Sequence, residues 1–415
     1  MKNELIPGRD YLPVAHSNVF PEDREALHEV VATGNYSEGP RCKEFTRTLE
    51  QYFGVPRAFL TNSGSSALLA ALTAAREANK GRYVITSALN FPTTVSAIYQ
   101  AGFLPWYLDC SPDTMQVNTD EVLDCCEEDD VAGVVLAHTL GFPFDALHMA
   151  DELLVAGKFL VEDACDAWGA ELFDSMKQVW YKAGSIGDMA TLSGYPAHHI
   201  NMGGEGGAIL CSNSKAYAKI VRSVINWGRD CICEPGQDNA CGNRFGHQED
   251  GIPAGYDHKY IFSRLGYNLK ATEFQGALGL AQMNHLPEFV NQRRVNFGWI
   301  TNMLGDNFDW IKILPDPFIP GSSPFGVPFR VQDARSLITY LEAHKIGTRR
   351  IFGGNLLRQP AFRSLPCRKA DRYPGADTLM QDALWIGCWP GWTDAMTDYV
   401  RHTLHRYEEE KLVAV

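Results

Sequence analysis

The sequence has no excess of positive charge. Its 37 Lys and Arg stand against 50 Asp and Glu, a net charge of -13 over 415 residues. Binding along a phosphate polymer needs clustered cations, so nucleic acid is excluded as a main partner. Long apolar runs are missing too: nothing approaches the roughly 18 to 20 residues of a membrane span. Residues 1–14, MKNELIPGRDYLPV, are too polar for a secretory leader. A cytoplasmic protein with no membrane partner is therefore expected. Internal repeats and low-complexity segments are also absent. One further absence is local. Residues 187–207, GDMATLSGYPAHHINMGGEGG, hold two adjacent histidines and a glycine-rich turn but no lysine.

An apolar fraction of 45% supports a sizeable core. The length suits a large domain followed by a smaller one, with 1–287 and 288–415 as the expected division. Eleven cysteines, an odd number, argue against a disulfide framework in a reducing compartment. Cys42, Cys110, Cys125, Cys126, Cys211, Cys367 and Cys388 are scattered and read as inert thiols. The other four are Cys165 and a group in 228–258: Cys231-x-Cys233, then seven residues, then Cys241. That stretch is rich in Gly, Asp, Asn and Pro, and a loop so long is usually functional or disordered. Four thiolates can hold a [2Fe–2S] cluster, and they also suit zinc.

Helices are expected at 20–35 and 45–53. Apolar strands follow at 57–61, 83–87, 103–109, 131–138, 159–163 and 208–211, with a short polar strand at 191–195, most of them separated by helix-length segments. This alternation predicts an α/β fold with a mostly parallel sheet covered on both faces. Ligands bind at the carboxyl ends of such strands. Ser63-Gly64-Ser65-Ser66 leads from a strand into a helix and makes either an anion site or a plain helix cap. Asp163 ends another strand and can pair with a protonated ring nitrogen, or cap a helix. Residues 172–186 read as an exposed insertion. Helices are expected at 214–227, 272–284 and 287–304. Strands near 324–330 and 347–352, a helix at 332–344 and a final helix after 393 complete the chain.

Taken together, Ser63-Gly64-Ser65-Ser66-Ala67, Glu162-Asp163, Ser193-x-Tyr195-Pro196 and Gly204-Glu205-Gly206-Gly207 resemble the DegT/DnrJ/EryC/StrS sugar aminotransferases. The family lysine follows the proline by two residues. His198 stands there, in Pro196-Ala197-His198-His199-Ile200, which resembles the family's 3-dehydrase branch. Trp227-Gly228-Arg229-Asp230-Cys231-x-Cys233, Asp238-Asn239-x-Cys241, Gly255-Tyr256-Asp257-His258-Lys259-Tyr260 and Gly266-Tyr267-Asn268-Leu269-Lys270 narrow the likeness to the branch that acts on CDP-4-keto-6-deoxy-D-glucose. The resemblance runs from about residue 25 to the C-terminus. The sequence departs from the pattern at Gly194, at Asn201 and in the extra glycine of Gly203-Gly204.

The resemblance implies the aspartate aminotransferase fold (PLP fold type I), with a seven-stranded sheet and a smaller C-terminal α+β domain. It implies pyridoxamine 5'-phosphate (PMP) held without a covalent bond, because imidazole cannot replace lysine as its anchor. His198 would be the base; imidazole takes up protons near neutral pH. A structural histidine at a strand end is the alternative, and His199 is the weaker candidate. By position, Asp163 would pair with the pyridinium nitrogen and Phe91 would stack on the ring. Gly64, Ser65 and Ser193 would hold the phosphate, Asn268 would reach it from a second subunit, and Asp166 would lie near the ring. Cys165, Cys231, Cys233 and Cys241 would carry a [2Fe–2S] cluster. The implied partners are a nucleotide-linked 4-keto-6-deoxyhexose, a second copy of the chain, and an NADH-dependent flavin/iron–sulfur reductase. A PLP-dependent aminotransferase and a non-catalytic PLP-binding regulator are the competing readings.

Overall fold

The computed structural model describes residues 5–212, 215–233 and 237–413. Residues 1–4 of the polar N-terminus and Ser214, the expected start of one helix, lie outside them. Two helices precede the sheet, α1 (Pro21–Thr33) and α2 (Pro40–Phe53). Each begins with proline and is closed by a glycine in the left-handed region, Gly34 and Gly54. Helix α2 starts five residues earlier than its apolar pattern suggests, because Pro40 sets the first turn.

The large sheet holds β1 (Arg57–Thr61), β2 (Tyr83–Ser87), β3 (Leu104–Leu108), β4 (Val131–Ala137), β5 (Phe159–Asp163), β8 (Met189–Ser193) and β9 (Gly207–Cys211). Their order is β1-β9-β8-β5-β4-β2-β3. Strand β9 pairs antiparallel with both neighbours, so it alone runs against the other six. Helix α3 (Gly64–Ala78) leaves β1, and α4 (Pro92–Gln100) leaves β2. Alanines 67, 70, 71, 74 and 75 bury one side of α3 against the sheet. Strands β5, β8 and β9 are buried along their whole length, as expected for a sheet covered on both faces.

Strand β8 ends at Ser193 rather than at Tyr195, the expected end. A Cβ on Gly194 would lie 2.3 Å from Met202 Cγ, so the chain turns there instead of continuing the strand. Gly194 thus makes room for Met202, which accounts for the glycine at that position. The 172–186 segment is a hairpin of β6 (Glu171–Asp174) and β7 (Val179–Lys182). Its turn is set by Asp174, whose Oδ1 accepts from the N–H of Met176 and Lys177. The tip is exposed, while Ala183 and Ile186 at its base are buried.

A long helix, Leu286–Asn307, leads to a second sheet of β10 (Lys312–Ile313), β11 (Gly326–Arg330) and β12 (Ala383–Gly387), all antiparallel. The strand expected at 347–352 does not form. Ile346 and Arg349 make only isolated bridges, to Leu12 and Trp385, and the strand in that role is β12. The core around Phe297, Phe325, Leu337 and Trp385 also takes in Leu12 and Val14. We propose that the smaller unit is 288–415 together with this N-terminal segment. No helix among the described residues is long and apolar enough to cross a membrane.

Candidate active site

The carboxyl ends of β1, β2, β5 and β8 meet on one side of the large sheet. Asp163, the last residue of β5, is buried. Its Oδ2 accepts from Thr94 Oγ1 at 2.7 Å and its Oδ1 from the Cys165 N–H at 3.3 Å. Burial pushes this carboxyl above the ordinary range, against the lowering effect of both hydrogen bonds. A carboxylate placed so gains most from a cation beside it. Thr94 lies in the Phe91-Pro92-Thr93-Thr94 segment that opens α4. It ties that helix to Asp163, while Ser65 Oγ donates to Thr93 Oγ1 at 3.0 Å and ties α4 to α3.

Helix α3 opens at Gly64, capped by Ser63 Oγ, which accepts from the Ser66 N–H at 3.1 Å. A Cβ on Gly64 would lie 2.9 Å from Ser193 Cβ and 3.0 Å from Cys165 Sγ. Only glycine brings the free N–H groups of the helix this close to the end of β8. Gly64, at the start of α3, and Ser193, at the end of β8, therefore pack side by side. Trp168 Nε1 donates to the Ser193 carbonyl at 2.8 Å and holds that strand end in place. Phe91 sits at the start of α4, half exposed at the rim, with its edge against Phe352. Asn268 is exposed, and its Oδ1 accepts from Lys270 Nζ at 3.1 Å.

His198 Nδ1 faces Asp166 Oδ1 at 3.2 Å, an ion-pair distance without hydrogen-bond alignment. Its ring stacks on Phe325, centroids 5.2 Å apart, and Tyr195 meets it edge-on at 6.4 Å. Phe325 lies over a hundred residues away and carries no local motif. It arrives because the Phe325 N–H donates to the Leu140 carbonyl and the Ser323 N–H to Gly141, beside the end of β4. His199 is different. Its Nε2 bonds Ser323 Oγ at 3.0 Å, and burial, with Arg293 next in effect, drives its pKa well below the ordinary imidazole value. A neutral, fully buried His199 is a structural group, and His198 is the histidine beside Asp166.

The remaining two departures in the sequence act as one unit. Asn201 Oδ1 accepts from the N–H of Gly203 at 2.8 Å and Gly204 at 3.2 Å, and its Nδ2 donates to Ser17 Oγ. Both glycines have positive φ, so the longer turn needs this amide to catch its N–H groups. The turn lines an open groove of about 950 Å³ with Ser63, Ser65 and Phe274.

Cys231, Cys233 and Cys241 line a separate small pocket with Asp238, Arg244 and His258. Backbone N–H groups aim at each sulfur: Cys233 at Cys231 Sγ (3.4 Å), Ala240 at Cys233 Sγ (3.3 Å) and Asn243 at Cys241 Sγ (3.4 Å). The Ala240 N–H lowers the Cys233 thiol below its ordinary pKa. The seven thiols read as inert are all pushed upward by burial, Cys126 and Cys211 to about 12. Cys165 is not among the residues that line this pocket. Its Sγ points at the Thr191 carbonyl beside Gly64, at the first turn of α3. Leu269 pairs with Asn62 next to that turn, but Arg264 pairs with Glu77 in the last turn of the same helix. At 1.5 Å per residue those ends are about 20 Å apart. The Asp230 N–H donates to the Ile261 carbonyl at 3.0 Å.

Residues 19–405 match the DegT/DnrJ/EryC1/StrS aminotransferase family. The chain belongs to this family. It is 36% identical to a lipopolysaccharide biosynthesis protein, RfbH, of Salmonella typhimurium, over 98% of this chain and 93% of that protein. It is 38% identical to a dTDP-4-dehydro-2,6-dideoxy-D-glucose 3-dehydratase of Saccharopolyspora spinosa, over 93% of this chain and 84% of that one. Among solved structures, the E. coli GDP-4-keto-6-deoxy-D-mannose-3-dehydratase with bound hydrated PLP superposes with a TM-score of 0.81 at 23% identity, covering 95% of this chain and 99% of that one. That likeness shows the fold, PLP fold type I.

The residues here fit the phosphorylated B6 cofactor of the family. Asp163 offers a buried carboxylate to a pyridinium, and the open α3 N-terminus offers N–H groups to a phosphate. Asp163→Asn is expected to weaken cofactor retention roughly 100-fold, since a buried charge pair loses one partner at a cost of about 3 kcal/mol. Equilibrium dialysis with the cofactor reads this directly. Unchanged retention would remove Asp163 from the role.

Proposed function

We propose that this protein is a PMP- and [2Fe–2S]-dependent 3-dehydrase of a nucleotide-linked 4-keto-6-deoxyhexose, with the CDP-glucose form as the favoured substrate. It would act on the route to 3,6-dideoxyhexoses. The single observation that carries this reading is His198, at the family's lysine position, directed at Asp166 in the site. When bound, PMP would supply an amine to engage the 4-keto group and an electron sink to weaken the bond to the C3 hydroxyl.

The chain's own groups supply the rest. Asp166 faces Nδ1 of His198, which leaves Nε2 as the atom to accept a proton. Phe325 on one face and Tyr195 at the edge limit rotation of that ring. Asp163 holds positive charge at the ring nitrogen, and Gly64, Ser65 and Ser193 fix the phosphate end. No lysine in 187–207 can hold the cofactor covalently, so these contacts must retain it.

The cysteine loop supports the redox half. Thiols that receive backbone N–H bonds, one of them with a lowered pKa, suit a metal–sulfur group and not a buried packing role. The ribbon that holds the loop also presents Asn268, through the Asn226–Asn268 and Arg229–Phe262 bridges. If Asn268 reaches the phosphate of a second subunit, as the homodimer reading requires, the loop goes with it toward that subunit's cofactor. Electrons would come from an NADH-dependent flavin/iron–sulfur reductase.

The test is turnover of CDP-, GDP- and dTDP-linked 4-keto-6-deoxyhexoses by anaerobically prepared enzyme with PMP and a chemical reductant. Mass spectrometry is expected to show loss of the C3 oxygen from one of them. Replacement of the keto oxygen by an amine, with the C3 hydroxyl kept, would instead establish an aminotransferase.

A further inference from the structure

Residues 266–270 run alongside 224–227 as a short ribbon. The Tyr267 N–H donates to the Val224 carbonyl at 2.7 Å, the Leu269 N–H to Ile225 at 3.0 Å and the Trp227 N–H to Tyr267 at 2.8 Å. Asn226 and Asn268 pair across it. Opposed residues put their side chains on one face, and a residue two further along a strand returns to that face. Asn226, Asn268 and Lys270 share a face in this way.

The Lys270 ammonium joins the two amides. Its Nζ donates to Asn226 Oδ1 and to Asn268 Oδ1, each at 3.1 Å. An ammonium only donates, so each amide turns its oxygen to the lysine and its NH2 away. Asn268 is exposed, and its Nδ2 has no hydrogen-bond partner among the described residues.

The lysine is itself held in place. Its Nζ lies 3.3 Å from the centroid of the Trp227 ring, a cation–π contact. Trp227 has a φ of 63°, in the left-handed region that bulky residues seldom adopt. Glycines allow the turn: a Cβ on Gly228 would lie 1.9 Å from the Arg264 carbonyl oxygen, and one on Gly266 would lie 2.0 Å from the Gly228 nitrogen. Backbone of this kind persists where the surrounding structure fixes it, and it gathers at ligand clamps.

We propose that Lys270 is the positioning residue for Asn268: it clamps the amide oxygen so that Nδ2 is the atom offered to the cofactor phosphate. This rests on the homodimer reading above, in which Asn268 reaches the phosphate of a second subunit. Without the clamp the amide is free to turn its oxygen to the phosphate, and two acceptors repel. Lys270 thus acts through Asn268 and not by its own contact with the cofactor.

The experiment uses the full chain as wild type, Lys270→Met, Asn268→Ala and the double variant. Equilibrium dialysis measures the affinity of each for PMP and for pyridoxamine, which lacks the phosphate. Lys270→Met and Asn268→Ala are each expected to weaken PMP binding roughly 10-fold, the lower end for a hydrogen bond to a charged group. The double variant is expected to lose no more than Asn268→Ala, because the lysine works through the amide. Pyridoxamine affinity is expected to be the same in all four proteins, which a misfolded ribbon would not give. Full PMP affinity in Lys270→Met beside a loss in Asn268→Ala would overturn the positioning role and leave the Asn268 reading standing. Losses that add in the double variant would make Lys270 a separate charge, and an equal loss of pyridoxamine would make it a packing residue; either result overturns the proposal. Unchanged PMP affinity in Asn268→Ala would remove the phosphate contact itself, and the proposal with it.

Discussion

His198→Lys is expected to lower dehydration by about 10²- to 10⁴-fold, the usual worth of a positioned acid–base group. It is also expected to gain a covalent bond between the new lysine and the cofactor, which borohydride makes permanent. The geometry explains both effects. His198 is seated between Phe325, Tyr195 and Asp166, on the turn after β8. A lysine at that position is long and flexible enough to reach a cofactor held by Asp163 and the α3 N-terminus. It brings an amine that reacts with a carbonyl, where imidazole brings only a proton acceptor. A variant with unchanged dehydration would reject His198 as the base.

Cys233→Ser is expected to lose the reddish iron–sulfur absorption and most of the iron while PMP affinity is unchanged. Cys233 is the loop thiol whose pKa is lowered, by the Ala240 N–H first. A lowered thiol pKa means more thiolate at neutral pH, and thiolate is the ligand. The loop pocket shares no lining residue with the groove beside α3, so the loss should leave the cofactor site intact. Iron counting and cofactor dialysis on the same sample separate the two. Iron unaffected by the substitution would show that the three cysteines hold no cluster.

The large sheet was legible in the sequence because its strands are short apolar runs, each closed by a chemically distinctive turn. Ser63 to Ser66, Phe91 to Thr94, Asp163 to Asp166 and Ser193 to His198 all fall at strand ends, and the structure brings them to one side of the sheet. The small domain was less legible. Its middle strand was read near 324–330, but β12 was missed because ALWIG follows helix Pro374–Asp382 without a glycine or proline between them. The expected strand at 347–352 failed because its pairing partners are single residues.

The same contrast holds within the site. Residues in local motifs stand out in the sequence, whereas Phe325 and Ser323 do not, because their importance lies in long-range contacts. Asn201 and the extra glycine looked like two departures and are one hydrogen-bonded turn.

The central claim is that this chain holds its cofactor without a lysine bond. It is tested most directly by adding PLP to the wild-type protein, reducing with borohydride, and mapping peptides by mass spectrometry. The expected result is unlabelled protein, with all the cofactor released on denaturation. A pyridoxyl group fixed to any lysine at one per monomer would contradict the account.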